Sequence, residues 1–123
     1  MNKSSEDYLE AILVLEGATT GARITDIAEY LKVSKPSVNR AMKVLAEKGY
    51  VTHETYGKIT LTEKGKSYAS MVYSRHTTLV AFLRDILNVS EAVSENDACL
   101  IEHDVSSETM EKIRIYLEMH KGK

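Results

Sequence analysis

The sequence predicts a mainly α-helical protein with one small β-hairpin, formed by a winged helix-turn-helix domain over residues 1–64 and an all-helical domain over residues 65–123. Three observations support this fold class. Apolar residues recur at helical spacing through most of the chain. Two short, alternating, β-prone segments follow the third predicted helix, where a wing would stand. Three further helical segments come after them, each opened by a serine or threonine that can cap a helix.

The composition is that of an ordinary globular protein, with 43% hydrophobic and 28% charged residues in 123. The single cysteine excludes an internal disulfide. We find no signal peptide and no apolar run near the roughly 20 residues that cross a bilayer. We therefore expect a cytoplasmic protein without a membrane partner.

Charge is unevenly distributed, although the net charge is only -2. Residues 32–66 carry eight Lys or Arg and three acidic residues, whereas residues 85–111 carry eight acidic residues and no Lys or Arg. A basic half can neutralise phosphates, and an acidic half can collect cations. The distribution of charge along the chain therefore indicates function better than the net charge does.

The first domain begins with an amphipathic helix over residues 5–16, with Ser4 or Ser5 as its N-cap. A small polar loop over residues 17–22 leads to a short helix over residues 26–31, with Thr25 as its N-cap. Ser34 caps a longer helix that runs to residue 47 or 48, where Gly49 ends it. Two helices joined by a turn of about three residues predict a helix-turn-helix.

The second helix of this pair carries the residues that would contact DNA. Ser37, Asn39 and Arg40 fall where a recognition helix meets base edges, and Lys35 and Lys43 fall where it meets phosphates. The full predicted DNA-binding set is Lys35, Pro36, Ser37, Asn39, Arg40, Lys43 and Lys58. The alternative is a solvated helix face, which is common on a single helical hairpin.

The predicted wing is a hairpin of residues 50–54 and 58–62, joined by a tight turn at residues 55–57. Thr62 then caps a long helix over residues 63–87. Ser94 and Asp97 resemble a capping box that opens a helix over residues 95–103, and Ser106 caps a last helix over residues 107–119. Because the long helix needs a partner for its surplus apolar face, we expect a homodimer.

Cys99, Glu102 and His103 have the i, i+3, i+4 spacing that brings side chains to one face of a helix. A thiol, a carboxylate and an imidazole together are a ligand set for a divalent transition metal. Asp7 and Glu10 repeat the i, i+3 spacing and could bind the same ion or a neighbouring one. The pattern predicts a DNA-binding protein gated by a metal that binds where two helical segments meet.

Several alternatives remain open from the residues alone. Asp7 and Glu10 could be first-turn acids favoured by the helix dipole, and His76, in the middle of a helix, could be structural. Cys99 could be a ligand, a redox-sensitive thiol or a buried small hydrophobe. The competing functions are a regulator that senses a small organic ligand or oxidation of Cys99, a purely structural metal site, and a zinc hydrolase. No substrate cleft is marked, so we expect that the protein is not an enzyme.

Six motifs, in this order, resemble the diphtheria toxin repressor family of metal-dependent transcriptional regulators over nearly the full length. They are Asp7-Tyr8-Leu9-Glu10, the segment Ile24–Leu31, Ser34-Lys35-Pro36-Ser37-Val38, Leu61-Thr62-Glu63-Lys64-Gly65, Arg75-His76 and Glu102-His103. The chain is most similar to the short manganese transport regulator branch, and we expect that its 123 residues leave no room for the SH3-like domain of longer members. The resemblance implies that the winged domain binds DNA and that the following helices dimerise.

The manganese branch implies metal ligands at five positions that are all present, namely Asp7, Glu10, His76, Glu102 and His103. It also implies Glu where this chain has Cys99. The iron-responsive branch has Cys there, but Met in place of Asp7. Its ancillary metal site needs Glu and His where this chain has Val80 and Glu95, so we expect that site to be absent in its usual form.

The mixed ligand set leaves the metal open between Mn(II), which suits hard oxygens, and Fe(II), which a thiolate favours, with Zn(II) or Co(II) binding in vitro. With Cys99 at a position where the manganese branch has Glu, each subunit could bind either one ion or two. The resemblance implies that the metal ties the first helix to the dimer core and holds the recognition helices at the spacing of a palindrome. The implied output is repression of manganese or iron uptake genes.

Overall fold

The computed structural model describes residues 2–16, 21–54 and 57–120 and confirms the predicted fold class. Its elements are α1 (Lys3–Glu16), β1 (Ala22–Arg23), α2 (Ile24–Leu31), α3 (Lys35–Glu47), β2 (Val51–His53), β3 (Lys58–Leu61), α4 (Glu63–Ala81), α5 (Glu91–Ile101) and α6 (Ser107–Met119). The chain divides within α4 into two compact units, Met1–Met71 and Val72–Lys123. None of the helices described is both long enough and apolar enough to cross a membrane.

In the first unit, α1 begins two residues earlier than predicted because Asn2, not Ser4 or Ser5, caps it. The Asn2 side-chain oxygen accepts the Ser5 N–H at 2.9 Å. The predicted cap of α3 is confirmed, since Ser34 Oγ accepts the Ser37 N–H at 3.3 Å. Between α2 and α3, Lys32 adopts the left-handed conformation (φ 57°) that ends a helix.

The predicted hairpin is part of a three-stranded antiparallel sheet with the order β1-β3-β2. Val51 pairs with Leu61 in the hairpin, and Ala22 pairs with Ile59 in the additional strand. The sequence did not predict β1, because two residues are too few to show an alternating pattern. Residues 17–20 of the predicted loop and residues 55–56 of the predicted turn lie outside the described residues.

One hydrophobic core joins the helices and the sheet of the first unit. Helix α1 packs on α2, and α2 packs on α3. The fully buried side chains are contributed by all three helices and by β3, and the largest are Leu9, Ile12, Ile27, Val38, Met42, Leu45 and Ile59. The helix-turn-helix therefore shares its core with α1.

Helix α4 begins with a close backbone contact. Thr62 Oγ1 accepts the Gly65 N–H at 3.1 Å and donates to the carbonyl oxygen of Gly49 at 2.6 Å. A Cβ at position 65 would lie 2.0 Å from the carbonyl oxygen of Tyr50. Gly65 is therefore the residue that lets α4 start against the segment before β2.

Helix α4 passes into one wider turn, Phe82–Ile86, in which the Leu87 N–H donates to the carbonyl oxygen of Phe82 at 3.2 Å. Asn88, with φ 59°, closes this turn. The exposed Arg84 donates to Asp85 within the turn and thereby lowers the pKa of that carboxyl. The long predicted helix thus reaches its expected end, but with irregular geometry in its last turn.

The start of α5 differs from the prediction. Ser90 caps it by accepting the Val93 N–H at 3.4 Å, and the helix begins at Glu91, four residues before its predicted start at residue 95. Ser94 is fully buried, and its hydroxyl donates to the carbonyl oxygen of Val89 at 3.3 Å. The cap of α6 by Ser106 is confirmed. Leu79, Val80, Ala98 and Met110 form the core of this second unit.

Replacing Gly65 with Ala should destabilise the protein by about 1–3 kcal/mol or more, because the added methyl overlaps a backbone oxygen that can move only with β2. Urea unfolding followed by circular dichroism measures the loss. The exposed Ser67 of the same helix is the matched control, and Ser67→Ala should change stability by less than about 0.5 kcal/mol. Equal stability of the two variants would show that α4 does not pack closely against the Tyr50 carbonyl group at position 65.

Candidate metal centre and nucleic-acid interface

Helix α3 has one buried face and one exposed face. Val38, Met42 and Leu45 are buried at helical spacing. Five of the predicted DNA-binding residues are exposed on the same helix, namely Lys35, Pro36, Asn39, Arg40 and Lys43. Packing therefore leaves these side chains available to a ligand of the first unit.

Ser37 differs from these residues because it is half-buried and hydrogen-bonded within the helix. Its Oγ lies 2.8 Å from Ser34 Oγ, and Arg40 donates to it at 3.3 Å. Ser37 thus orients the Arg40 guanidinium, a group that reads guanine edges in major grooves. Lys58, the remaining member of the predicted set, is half-buried on β3 of the wing.

The two N-terminal acids lie one turn apart on α1, and both are half-buried. Lys3 donates to Asp7 at 3.2 Å. A third acid, Glu6, is buried and accepts a hydrogen bond from the Tyr68 hydroxyl at 2.9 Å. Sequence reasoning did not single out Glu6, which stabilises the packing of α1 within the first unit.

In the second unit, the structure brings together three predicted ligands, His76, Glu102 and His103. His76 comes from α4, whereas Glu102 and His103 lie in the turn after α5, because this helix ends at Ile101 and not at the predicted residue 103. The Glu102 carboxylate is fully buried. Its Oε2 lies 2.8 Å from His76 Nδ1, and its Oε1 lies 3.4 Å from His103 Nε2. One buried carboxylate therefore stands between two imidazoles.

Arg75, next to His76, holds the segment that carries these ligands. Its guanidinium donates to the carbonyl oxygens of Glu102 at 3.1 Å and Val105 at 3.4 Å. Carbonyl groups at a helix C-terminus lack partners in their own helix, and a cation is favoured there. Arg75 thus binds the end of α5 to α4. Sequence reasoning noted Arg75 only as part of a motif.

Glu95 and Cys99 lie on α5 before Glu102. Glu95 Oε2 is 2.7 Å from His76 Nε2, a contact that sequence reasoning missed. The available signal was the i, i+7 spacing of Glu95 and Glu102, which puts them on one helix face two turns apart. Cys99 is half-buried in the last turn of α5.

The residues of this cluster fit a divalent cation. Among the described residues, Glu102 Oε1 is a buried oxygen without a hydrogen-bond partner. A buried oxygen of this kind can accept a cation, and a carboxylate flanked by imidazoles is a donor set for Mn(II), Fe(II) or Zn(II). His76, Glu102 and His103 could therefore hold such an ion.

A winged helix-turn-helix with an exposed recognition face, joined to a helical unit whose clustered side chains could hold a metal, defines the class of metal-dependent DNA-binding transcriptional regulators. Two family models match the chain. The N-terminal DNA-binding domain of the iron-dependent repressors matches residues 1–59, and their metal-binding and dimerisation domain matches residues 62–121. The chain belongs to the iron-dependent repressor family, which confirms the resemblance found in the sequence.

Individual relatives agree with this assignment. An uncharacterized HTH-type transcriptional regulator of Methanocaldococcus jannaschii is 36% identical over all of this chain and 99% of its own length. The structure of the manganese regulator SloR is similar with a TM-score of 0.81 and 32% identity, over 95% of this chain and 54% of that one. A manganese-dependent transcriptional repressor in complex with manganese has a TM-score of 0.86 and 30% identity, over 93% and 52%. This chain spans about half the length of the two solved relatives.

Replacing Arg75 with Ala should lower the free energy of unfolding of the chelator-treated protein by about 1–3 kcal/mol, because two carbonyl groups lose a charged donor. Denaturant titration is the measurement. Arg114, whose exposed side chain pairs with Glu111, provides the control, and Arg114→Ala should cost at most about 1 kcal/mol. An Arg75 variant as stable as this control would mean that the contacts do not hold the α5 end.

Proposed function

We propose that this regulator represses manganese or iron uptake genes and binds operator DNA only when a divalent metal is bound. The observation that carries the proposal is the buried Glu102 carboxylate between His76 and His103. Burying a carboxylate costs several kcal/mol unless cations or hydrogen bonds compensate it. A cation-binding role accounts for an acidic group at this position.

The proposed ligands are His76, Glu102 and His103 with Cys99, completed by Asp7 and Glu10 of α1. Support for the last two comes from their i, i+3 spacing and from the family resemblance. A bound cation would polarise these side chains and neutralise their charge. Mn(II) and Fe(II) are the proposed physiological ions, in keeping with the manganese named for two structural relatives.

The first unit offers a physical route from ligands to DNA. Asp7 and Glu10 belong to α1, α1 packs on α2, and α2 packs on the recognition helix α3. Restricting α1 therefore restricts α3. We propose that metal binding selects one arrangement of the recognition helices from several, so that metal and DNA strengthen each other's binding by the same factor.

The DNA-binding residues are proposed to be Lys35, Pro36, Ser37, Asn39, Arg40, Lys43 and Lys58. We further propose a homodimer on a palindromic operator, since a two-fold protein reads a two-fold site. The second unit exposes many large apolar side chains that a partner would cover, among them Leu87, Val93, Leu100, Ile101, Ile115 and Met119. The proposed functional domains are residues 1–64 and 65–123. We further propose that the protein acts in the cytoplasm and has no catalytic role.

Glu102→Gln and His103→Ala should each remove metal-dependent DNA binding, because each loses a ligand. The measurement is fluorescence anisotropy on the DNA upstream of the protein's own gene and of neighbouring transporter genes. Mn(II), Fe(II) without oxygen and Zn(II) are titrated in turn, with a chelator as blank. Metal affinity should fall by at least about 100-fold, since loss of an outer partner alone costs roughly 10–100-fold.

The exposed Glu108, in the first turn of α6, is the matched control, and Glu108→Gln should respond like the wild type. Circular dichroism verifies that each variant is folded. Wild-type DNA binding that persists in chelator would refute metal gating and favour a regulator of thiol oxidation or of a small organic ligand. An unchanged metal response in both ligand variants would refute this assignment of the site.

Cys99→Ser should weaken Co(II) and Zn(II) binding more than Mn(II) binding, because a thiolate is a softer ligand than the oxygens around it. The wild-type Co(II) complex should show a near-ultraviolet sulfur-to-cobalt charge-transfer band that the variant lacks. Cys99→Ala is the second variant, because it removes the sulfur without introducing the serine hydroxyl, which could itself bind a metal. Identical Co(II) spectra in wild type and variants would show that the Cys99 sulfur is not a ligand.

A further inference from the structure

The imidazole of His76 lies between two carboxylates, one at each ring nitrogen. Nδ1 is 2.8 Å from Glu102 Oε2, and Nε2 is 2.7 Å from Glu95 Oε2. The two sides differ in environment, because the Glu102 side chain is fully buried whereas that of Glu95 is 54% exposed. The two nitrogens of His76 therefore face chemically different surroundings.

A neutral imidazole carries one N–H and one lone pair, and a metal binds only the lone pair. The nitrogen that does not bind the metal keeps its proton, and a hydrogen bond from it fixes the ring orientation and the tautomer. The buried side of His76 faces the Glu102 carboxylate, whose Oε1 has no hydrogen-bond partner among the described residues. This side therefore offers the oxygen donors that a metal needs. On the solvent side, the exposed Glu95 carboxylate is placed to accept a hydrogen bond from Nε2.

We propose that Glu95 is a positioning residue for metal binding, which accepts the Nε2–H of His76 and so presents Nδ1 to the ion beside Glu102. This inference rests on the proposed metal-gated function and adds the role of each nitrogen to it. The charge on Glu95 strengthens the hydrogen bond and makes the imidazole a better donor.

The helix that carries Glu95 is well placed for this role. Ser90 caps α5 one turn before Glu95, and buried Ser94 and Ala98 hold the helix by its inner face. Glu95 lies on α5, and Glu102, two turns later, is the residue that caps the C-terminus of this helix, so both reach the imidazole of His76 on α4. The rigid helix sets the distance between the two acceptors.

The test compares Glu95→Ala and Glu95→Gln with Glu91→Gln in the full-length protein. Glu91 is the matched control because it is an exposed acid one turn earlier on the same helix. Competition with a chelating dye measures Mn(II) and Zn(II) affinity, and equilibrium dialysis measures the number of ions bound. Long-range proton–nitrogen correlation on the Zn(II)-loaded protein identifies which His76 nitrogen carries the proton.

Glu95→Ala should weaken metal binding by roughly 10–100-fold without changing the number of ions bound, as expected for an outer-shell partner. Glu95→Gln should lose less affinity, since its amide oxygen accepts the same N–H, and Glu91→Gln should bind like the wild type. In the wild type, Nε2 should carry the proton and Nδ1 the metal.

Three results would overturn the inference while leaving the proposed function intact. They are unchanged affinity in Glu95→Ala, the loss of one bound ion in that variant, which would make Glu95 itself a ligand, and metal bound at Nε2. Failure of the wild type to bind any of the metals would instead refute the proposed function.

Discussion

The buried carboxylate of Glu102 is the constraint on which the second unit depends. An ionised group inside a protein is tolerated only where charges and hydrogen bonds compensate it. Here the imidazoles of His76 and His103 stand beside the two oxygens, and one oxygen has no hydrogen-bond partner among the described residues. Removing such a cluster from water makes it responsive to a cation, because low dielectric strengthens every electrostatic contact.

The surrounding helices position this carboxylate through several further contacts. Arg75 binds the carbonyl group of Glu102 itself, and Ser90 and Ser106 cap the helices on either side of the turn that carries Glu102. Glu95 adds a contact to the solvent side of His76. A functional side chain must be held close to its working geometry, and these contacts fix the turn after α5 that carries Glu102.

The first unit combines a conventional DNA-binding motif with an acidic helix. Ser34 and Ser37 form a short hydrogen-bonded series that ends at Arg40, so the start of α3 also orients this exposed side chain, which we propose to bind DNA. Helix α1, with Asp7 and Glu10, shares a core with that motif. In the proposed mechanism, a restraint on α1 would reach the recognition helix through this core, because close-packed interiors transmit strain.

The sequence by itself determined the order of the helices and the wing, because apolar periodicity and serine caps are local properties. It did not predict β1, which exists only through pairing with β3, or the role of Gly65, which depends on the Tyr50 carbonyl group. It favoured Ser94 over Ser90 as a cap, since both fit the local pattern and only packing turns Ser94 inward. The contacts of His76 with Glu95 and Glu102 were likewise decided by tertiary structure, because residues distant in the chain meet only when α4 and α5 pack together.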